Sequence, residues 1–199
     1  MGFEVSINED DKITKIAFPR DFGFVSMKTL SASIVAAFAL TLAASAADST
    51  AKITDVHLCC KGCVTGVEKA VSKVPDAKAE VDQDAGTVTL SGPDAATVQK
   101  AADALVAAGY FGKASEGSVK LANETGAKGE KVTSAKVEGV HLCCGKCVKA
   151  VDKATASVPG VKAHTATKGA KSFEVTGDFN DKDLMTALQK EGLTGKIVQ

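Results

Sequence analysis

The chain has 199 residues, an apolar fraction of 45% and a formal net charge of zero at pH 7. This length allows one or two small domains, and the composition is that of a folding chain rather than a disordered one. Basic residues form no stripe and the single arginine is Arg20, so we expect neither nucleic acid nor an anionic membrane surface as a partner.

Residues 27–46 have the pattern of a secretory signal peptide. Lys28 supplies a basic start, residues 30–43 form an apolar run, and small residues lead to Ala46. The run is shorter than the ~20 residues that a membrane-spanning helix needs. We therefore expect export to the periplasm or the medium, with cleavage near Ala46. A membrane contact would arise only through this segment, if it stayed uncleaved.

Residues 1–26 precede this complete signal peptide, which has its own methionine at Met27. We interpret them as an over-extended start, with a long leader as the alternative. They are left out of the prediction of the fold.

A cysteine motif occurs twice and organises the rest of the chain. Residues 56–63 and 140–147 both read V-H-L-C-C-x-x-C, and together they contain all six cysteines. Matching patterns follow each copy, so the sequence predicts two domains, at 51–114 and 136–199. The segment 115–135 between them is rich in Gly, Lys, Glu and Ser, which predicts a flexible linker.

In each domain the predicted order is strand, helix, strand, strand, helix, strand. In the first domain these elements are a strand at 53–58, a helix at 64–74 that ends at Pro75, strands at 79–81 and 87–91, a helix from 94 to 109 and a strand at 111–114. This order predicts an α+β fold made of two independent ferredoxin-like domains. Each would have a four-stranded antiparallel sheet covered on one face by two helices.

The cysteine loop and the helix after it resemble a known family. The x-Cys-x-x-Cys pattern, the valine-rich helix that ends in Val-Pro, and the later Ala-Gly-Tyr at 108–110 are similar to the heavy-metal-associated domains of copper chaperones and metal-transporting ATPases. An exported member is similar to periplasmic mercury-binding proteins. The resemblance implies that Cys60 and Cys63, and likewise Cys144 and Cys147, bind a soft metal ion between two thiolates.

Each motif also departs from the family pattern. Cys59 and Cys143 replace a variable residue, and His57 and His141 replace the usual glycine. Consecutive side chains point apart, so each extra cysteine is either a further ligand, a spare thiol or a disulfide partner. Each histidine is either a further ligand or a core residue.

The donor chemistry narrows the choice of metal. A cysteine at a helix N-terminus has a lowered pKa, which favours the thiolate that binds metal. Two thiolates without a carboxylate favour Cu(I) or Hg(II), whereas three thiols and an imidazole form a set typical of Zn(II).

Tyr110 follows the second helix and is expected near the loop, either covering the site or as a half-buried aromatic.

We therefore expect an exported protein that is not an enzyme and that binds soft metal ions as a chaperone, scavenger or buffer. Its partners would be the ion and a metal transporter or another metal-binding protein. Two sites joined by a linker can exchange ions or chelate jointly. The alternatives are thiol–disulfide exchange, since Cys-x-x-Cys at a helix start is also a redox motif, and a disulfide-stapled interaction module.

Overall fold

The computed structural model describes residues 48–121 and 124–198. The predicted N-terminal extension at 1–26 and the predicted signal peptide at 27–46 lie outside the described residues. In the part of the chain that the structure describes, no helix is both long enough and apolar enough to cross a membrane.

Each half of the described chain folds in the order strand, helix, strand, strand, helix, strand. Domain 1 comprises β1 (Ser49–Thr54), α1 (Lys61–Val71), β2 (Lys78–Asp82), β3 (Thr87–Gly92), α2 (Ala95–Ala107) and β4 (Lys113–Ala114). Domain 2 comprises β5 (Lys131–Glu138), α3 (Gly145–Ala156), β6 (Val161–His164), β7 (Ser172–Asn180), α4 (Asp181–Lys190) and β8 (Lys196–Val198). The antiparallel sheets have the strand orders β2-β3-β1-β4 and β6-β7-β5-β8. This is the α+β, ferredoxin-like arrangement that the sequence predicts.

Alternation along the central strands places one face of each sheet in the core. In domain 1, Ala51 and Ile53 of β1 and Val88 and Leu90 of β3 are buried, whereas the residues between them are not. They share one apolar core with the buried side of α1, which includes Val67. Because β1 lies at the centre of the sheet, the loop that follows it is held at a fixed place beside α1.

Both α1 and α3 end before the residues that the sequence predicts. The backbone N–H of Val74 donates to the carbonyl of Val71 at 2.9 Å, and Val158 does the same with Thr155 at 3.1 Å. These are tight turns between residues three apart, and a proline follows each of them. Proline disfavours helical geometry in the residue before it, so the helix gives way to a turn before the proline is reached.

Part of the segment predicted to be a flexible linker is held on domain 2. Strand β5 begins at Lys131, inside the predicted linker 115–135. The backbone N–H groups of residues 128–130 all donate to the carboxylate of Asp181, at 2.7 to 3.0 Å. Domain 2 therefore starts earlier than predicted, because this buried carboxylate binds the backbone ahead of the strand.

The two domains are not independent, and that prediction is wrong. Their described residues belong to one compact unit. Tyr110 at the end of α2 forms an antiparallel bridge with Leu193 at the end of α4. The N–H of Phe111 donates to the carbonyl of Gly192 at 3.1 Å, and the N–H of Thr194 donates to the carbonyl of Gly109 at 3.0 Å. The ends of two equivalent helices thus join the domains by backbone hydrogen bonds.

Two glycines permit this close approach. Gly109 has φ 89° and Gly192 has φ 74°, in the left-handed region that side chains rarely adopt. A Cβ atom on Gly109 would also collide with the backbone of Gly139 and His141, and one on Gly192 would collide with that of His57. Each glycine therefore packs against the backbone just before the cysteines of the other domain.

We predict that replacing Asp181 with alanine destabilises the protein by roughly 2–3 kcal/mol, because three backbone N–H groups lose a buried, charged acceptor. Burial opposes the charge of Asp181, but these N–H groups outweigh it and lower its pKa. A lowered folded-state pKa gives stability that is present above the unfolded value and lost as the pH falls through the folded one. The difference between the wild type and Asp181→Ala should thus shrink below about pH 4.

Urea unfolding at neutral and acidic pH measures this difference. Asp183→Ala is the control, since Asp183 is exposed in the first turn of the same helix. It should cost less than about 1 kcal/mol. Equal costs for the two variants would contradict the role of Asp181.

Candidate metal centre

The two cysteine loops lie against each other, so all six thiols meet at the boundary between the domains. Cys60 and Cys144 are the N-caps of α1 and α3, and Cys63 and Cys147 lie in the first turns of these helices with no exposed surface. We call the whole set the six-thiol cluster: Cys59, Cys60, Cys63, Cys143, Cys144 and Cys147.

The extra cysteine of domain 1 faces the Cys-x-x-Cys pair of domain 2. The Sγ of Cys59 lies 3.3 Å from the Sγ of Cys144 and 3.6 Å from that of Cys147. The pair itself is separated by 3.9 Å. These three sulfur atoms form a triangle of a size that one cation can fill, although 85 residues separate Cys59 from Cys144.

The reciprocal triangle is present on the other side. The Sγ of Cys143 lies 3.5 Å from both Cys60 and Cys63, which are 4.0 Å apart. Consecutive side chains point apart, and here this directs each extra cysteine toward the facing domain. The structure thus places Cys59 and Cys143 each beside the Cys-x-x-Cys pair of the facing domain, an arrangement that needs both domains.

The two triangles are not separate sites. Cys59 is also 3.7 Å from Cys63 in its own domain, and Cys143 is 3.7 Å from Cys147. Every sulfur therefore lies within reach of sulfurs from both domains. All eight side chains predicted as ligands are found at this boundary, and six of them form a single centre.

The helix termini and the crowding of thiols shift their pKa values in opposite directions. The backbone N–H of Cys63 lowers the pKa of Cys60 to about 7, against the effect of burial. Hydrogen bonding from the Cys63 thiol lowers the pKa of Cys147, and His57 adds to this effect. The Cys147 thiolate and burial in turn raise the pKa of Cys63. Some thiols of the cluster therefore lose their protons readily while others keep them, because six adjacent thiolates would repel one another.

The pKa values of the two extra cysteines, Cys59 and Cys143, are both raised. Burial is the main cause that raises the pKa of Cys59, and it raises that of Cys143 to about 12. The cluster thus retains protons that a soft cation displaces when it binds.

The two motif histidines have different surroundings. A ring nitrogen of His57 lies within 4.8 Å of the sulfurs of Cys59 and Cys147. The ring of His141 instead stacks on Tyr110 with 4.6 Å between centroids. Among the described residues, the Nε2 atoms of both histidines are buried without a hydrogen-bond partner. The ring of His57 therefore borders the thiols of both domains, whereas the ring of His141 packs against Tyr110.

Tyr110 holds the end of α2 against the cysteine loop. It is fully buried, and its hydroxyl donates to the backbone carbonyl of Cys63 at 2.9 Å. Burial, followed by the nearby thiols, raises the pKa of this hydroxyl. As the chain has one tyrosine and no tryptophan, intrinsic fluorescence reports on this position.

Two glycines of α1 were missed as site residues. A Cβ on Gly62 would lie 3.4 Å from the sulfur of Cys143, and one on Gly66 would collide with the hydroxyl of Tyr110. A glycine inside a predicted helix costs stability, which often indicates close packing. In the sequence, the position of Gly66 inside a predicted helix is the one feature that indicates close packing there.

Positive charge lies at the solvent-facing side of the cluster. The ammonium group of Lys146 donates to the carbonyl of Cys59 at 3.5 Å, across the domain boundary. Lys149 lines the same surface depression, together with Cys60 and Cys144. Both lysine side chains are exposed, so they can offset the charge of a thiolate complex while remaining hydrated.

Comparison with known proteins gives distant likenesses only. The sequence matches no protein-family profile and no curated protein. Among solved structures, the PacS N-terminal domain from Synechocystis PCC6803 is 17% identical, covers 34% of this chain and 100% of its own, and has a TM-score of 0.31. The N-terminal soluble domains of Bacillus subtilis CopA are 16% identical, with coverage of 76% and 95% and a TM-score of 0.29. At these scores the likeness carries no argument, so the functional conclusion rests on the cluster.

We predict that Gly66→Ala destabilises the protein by roughly 1–3 kcal/mol, because its Cβ displaces the Tyr110 hydroxyl. Gly145→Ala is the matched control, since it lies in the equivalent helix α3 with open space around it. It should be neutral or stabilising by up to about 1 kcal/mol. Chemical unfolding and tyrosine fluorescence measure both effects. An unaltered Tyr110 signal in Gly66→Ala would contradict the packing described.

Proposed function

We propose that this protein binds soft metal ions at one centre that both domains build. The observation that carries the proposal is the convergence of six thiols, in which Cys59 lies 3.3 Å from Cys144 across the domain boundary. The thiols are 3.3 to 4.0 Å apart and are not joined as disulfides, whose sulfur atoms are about 2.05 Å apart. They are suitably placed to share a cation.

The donor set favours Cu(I). All six close donors are sulfur, and soft thiolates select soft ions. The cluster offers triangles of three sulfurs, whereas Zn(II) prefers a tetrahedron of four ligands. Hg(II) shares the preference for sulfur and is the main competitor. We therefore propose Cu(I) first, Hg(II) second and Zn(II) third.

The burial of the cluster supports a scavenger or buffer more than a chaperone. Cys63 and Cys147 have no exposed surface, so an ion held by them would be shielded by both domains. Cys60 and Cys144 are partly exposed beside Lys146 and offer the route of entry and release. Handover to a metal transporter or another metal-binding protein would begin at this side.

Export is the second part of the proposal, and it rests on the signal-peptide pattern at 27–46. An exported thiol protein meets an oxidising compartment. A metal bound to the thiolates would protect them there. Without metal, disulfide formation and thiol–disulfide exchange become the competing reactions.

N-terminal sequencing of the protein from the exported fraction of its native host tests export. We expect the mature chain to begin just after Ala46, with Ala47 as its first residue. A chain retained in the cytoplasm that begins at residue 1 or at Met27 would contradict export and leave metal binding untouched.

Anaerobic competition with a Cu(I) chelator tests whether the centre is shared. In a Cys60→Ser, Cys63→Ser background, domain 1 has lost its own pair and keeps only Cys59. Adding Cys59→Ser should weaken Cu(I) binding at least about tenfold, or 1.4 kcal/mol, because the Cys59 sulfur would bind the same ion as Cys144 and Cys147 of domain 2.

Ser72→Ala in the same background is the control. Ser72 caps the opposite end of α1 from the cysteines, so this change should leave the affinity unaltered. An affinity unaffected by Cys59→Ser would show that each domain binds on its own. Failure of the wild type to retain any soft ion against the chelator, together with insulin-reducing activity, would favour thiol–disulfide exchange instead.

A further inference from the structure

The six-thiol cluster has the connectivity of an octahedron. Eight sulfur pairs are 3.3 to 4.0 Å apart. Three more pairs lie within 4.8 Å, namely Cys59 with Cys60, Cys60 with Cys144, and Cys143 with Cys144. The twelfth pair is Cys63 with Cys147, whose side chains are hydrogen-bonded. Each sulfur thus has four sulfur neighbours and one sulfur opposite it. The opposite pairs are Cys59 with Cys143, Cys60 with Cys147, and Cys63 with Cys144.

An octahedron of thiolates has triangular faces that fit three-coordinate cations. A cation at the centre of a face with 4.0 Å edges lies about 2.3 Å from each sulfur, which is a normal metal–thiolate distance. Cations in two faces that share an edge would be only about 1.9 Å apart, which is shorter than one metal–thiolate bond. Alternate faces separate them by about 2.7 Å, and an octahedron has four alternate faces.

We propose that the octahedral arrangement of the six-thiol cluster binds four Cu(I) ions as one polynuclear copper–thiolate centre; this inference rests on the proposed function. Each cation would be bound by three thiolates, and each thiolate would bridge two cations. Six thiols release six protons as four Cu(I) ions enter, and neither sulfur nor copper changes oxidation state. The filled centre carries two negative charges.

Charge favours monovalent cations in this arrangement. Two divalent ions at the same separation repel each other four times as strongly as two monovalent ions. Four divalent ions would also leave a positive centre beside Lys146 and Lys149, whereas four Cu(I) ions leave a negative one. The lysines at the solvent-facing side therefore complement Cu(I).

Filling should be cooperative, because neither domain can build the centre alone. Four alternate faces can be chosen in two ways, and in both choices three of the four faces take thiolates from both domains. The first ion therefore fixes the domains in the arrangement that the others require. Partly filled centres would leave thiolates without a bridging cation and should be scarce.

Anaerobic titration of the reduced full chain with Cu(I), followed by native mass spectrometry, tests this inference. We expect the metal-free and four-copper monomers to coexist, with few intermediate species. X-ray absorption should show copper–copper neighbours at about 2.7 Å and three sulfurs per copper. One or two coppers per monomer without copper neighbours would overturn the polynuclear centre but leave soft-metal binding intact. No retained copper would overturn both.

Cys143→Ser provides the matched test of geometry. Each corner of the octahedron belongs to two of the four occupied faces, so removal of this sulfur should lower the capacity from four coppers to about two. Ser72→Ala should retain four. Four coppers in Cys143→Ser would overturn the octahedral arrangement, and the wild-type spectrum decides the matter if that variant fails to fold.

Discussion

The structure depends on the close approach of two equivalent loops across a domain boundary. Gly109 and Gly192 permit it, since any side chain at these positions would collide with the backbone that precedes the other domain's cysteines. The bridge between Tyr110 and Leu193 then fixes the alignment. The glycines and the bridge bring thiols that are 80 to 88 residues apart in the chain to within 3.3 to 3.6 Å of one another.

Crowded thiols are unfavourable without a cation, and this links metal binding to the arrangement of the domains. Burial raises the pKa of Cys59 and of Cys143, whereas the pKa of Cys60 is lowered to about 7. The crowded cluster therefore keeps part of its protons, which limits the repulsion between thiolates. A soft cation replaces these protons with positive charge shared between sulfurs. Any ligand that binds the closed arrangement more tightly than an open one stabilises it. The proposed ion and the domain contact would therefore stabilise each other.

Much of this could be predicted from local patterns. Valines at helical spacing indicate α1, alternation indicates β3, and the repeated motif indicates the cysteines of the cluster. The domain contact left no such pattern, because it is formed by backbone hydrogen bonds and by glycines whose need for space is visible only in three dimensions. The same is true of Gly66, which makes room for Tyr110. The different surroundings of His57 and His141 also left no pattern in the sequence, since Tyr110 has a leucine as its counterpart and stacks on His141.

The extra cysteines show how a local rule can be correct and still incomplete. Adjacent side chains do point apart, which makes a site with Cys59 and Cys60 in one domain awkward. That argument considers one domain at a time, whereas the sulfurs nearest to Cys59 belong to Cys144 and Cys147 of the facing domain. The two repeats therefore build the cluster together, and each copy of the motif contributes three of its six thiols.

Nuclear magnetic resonance of the full chain during addition of Ag(I), a diamagnetic soft ion, tests the central claim most directly. Gly62 lies in one cysteine loop and Gly145 in the other, so their amide signals report on the two halves separately. A shared centre predicts that both signals change by the same fraction at every ratio of ion to protein. A Gly62 signal that completes its change before that of Gly145 begins, or the reverse, would contradict it and show two separate sites.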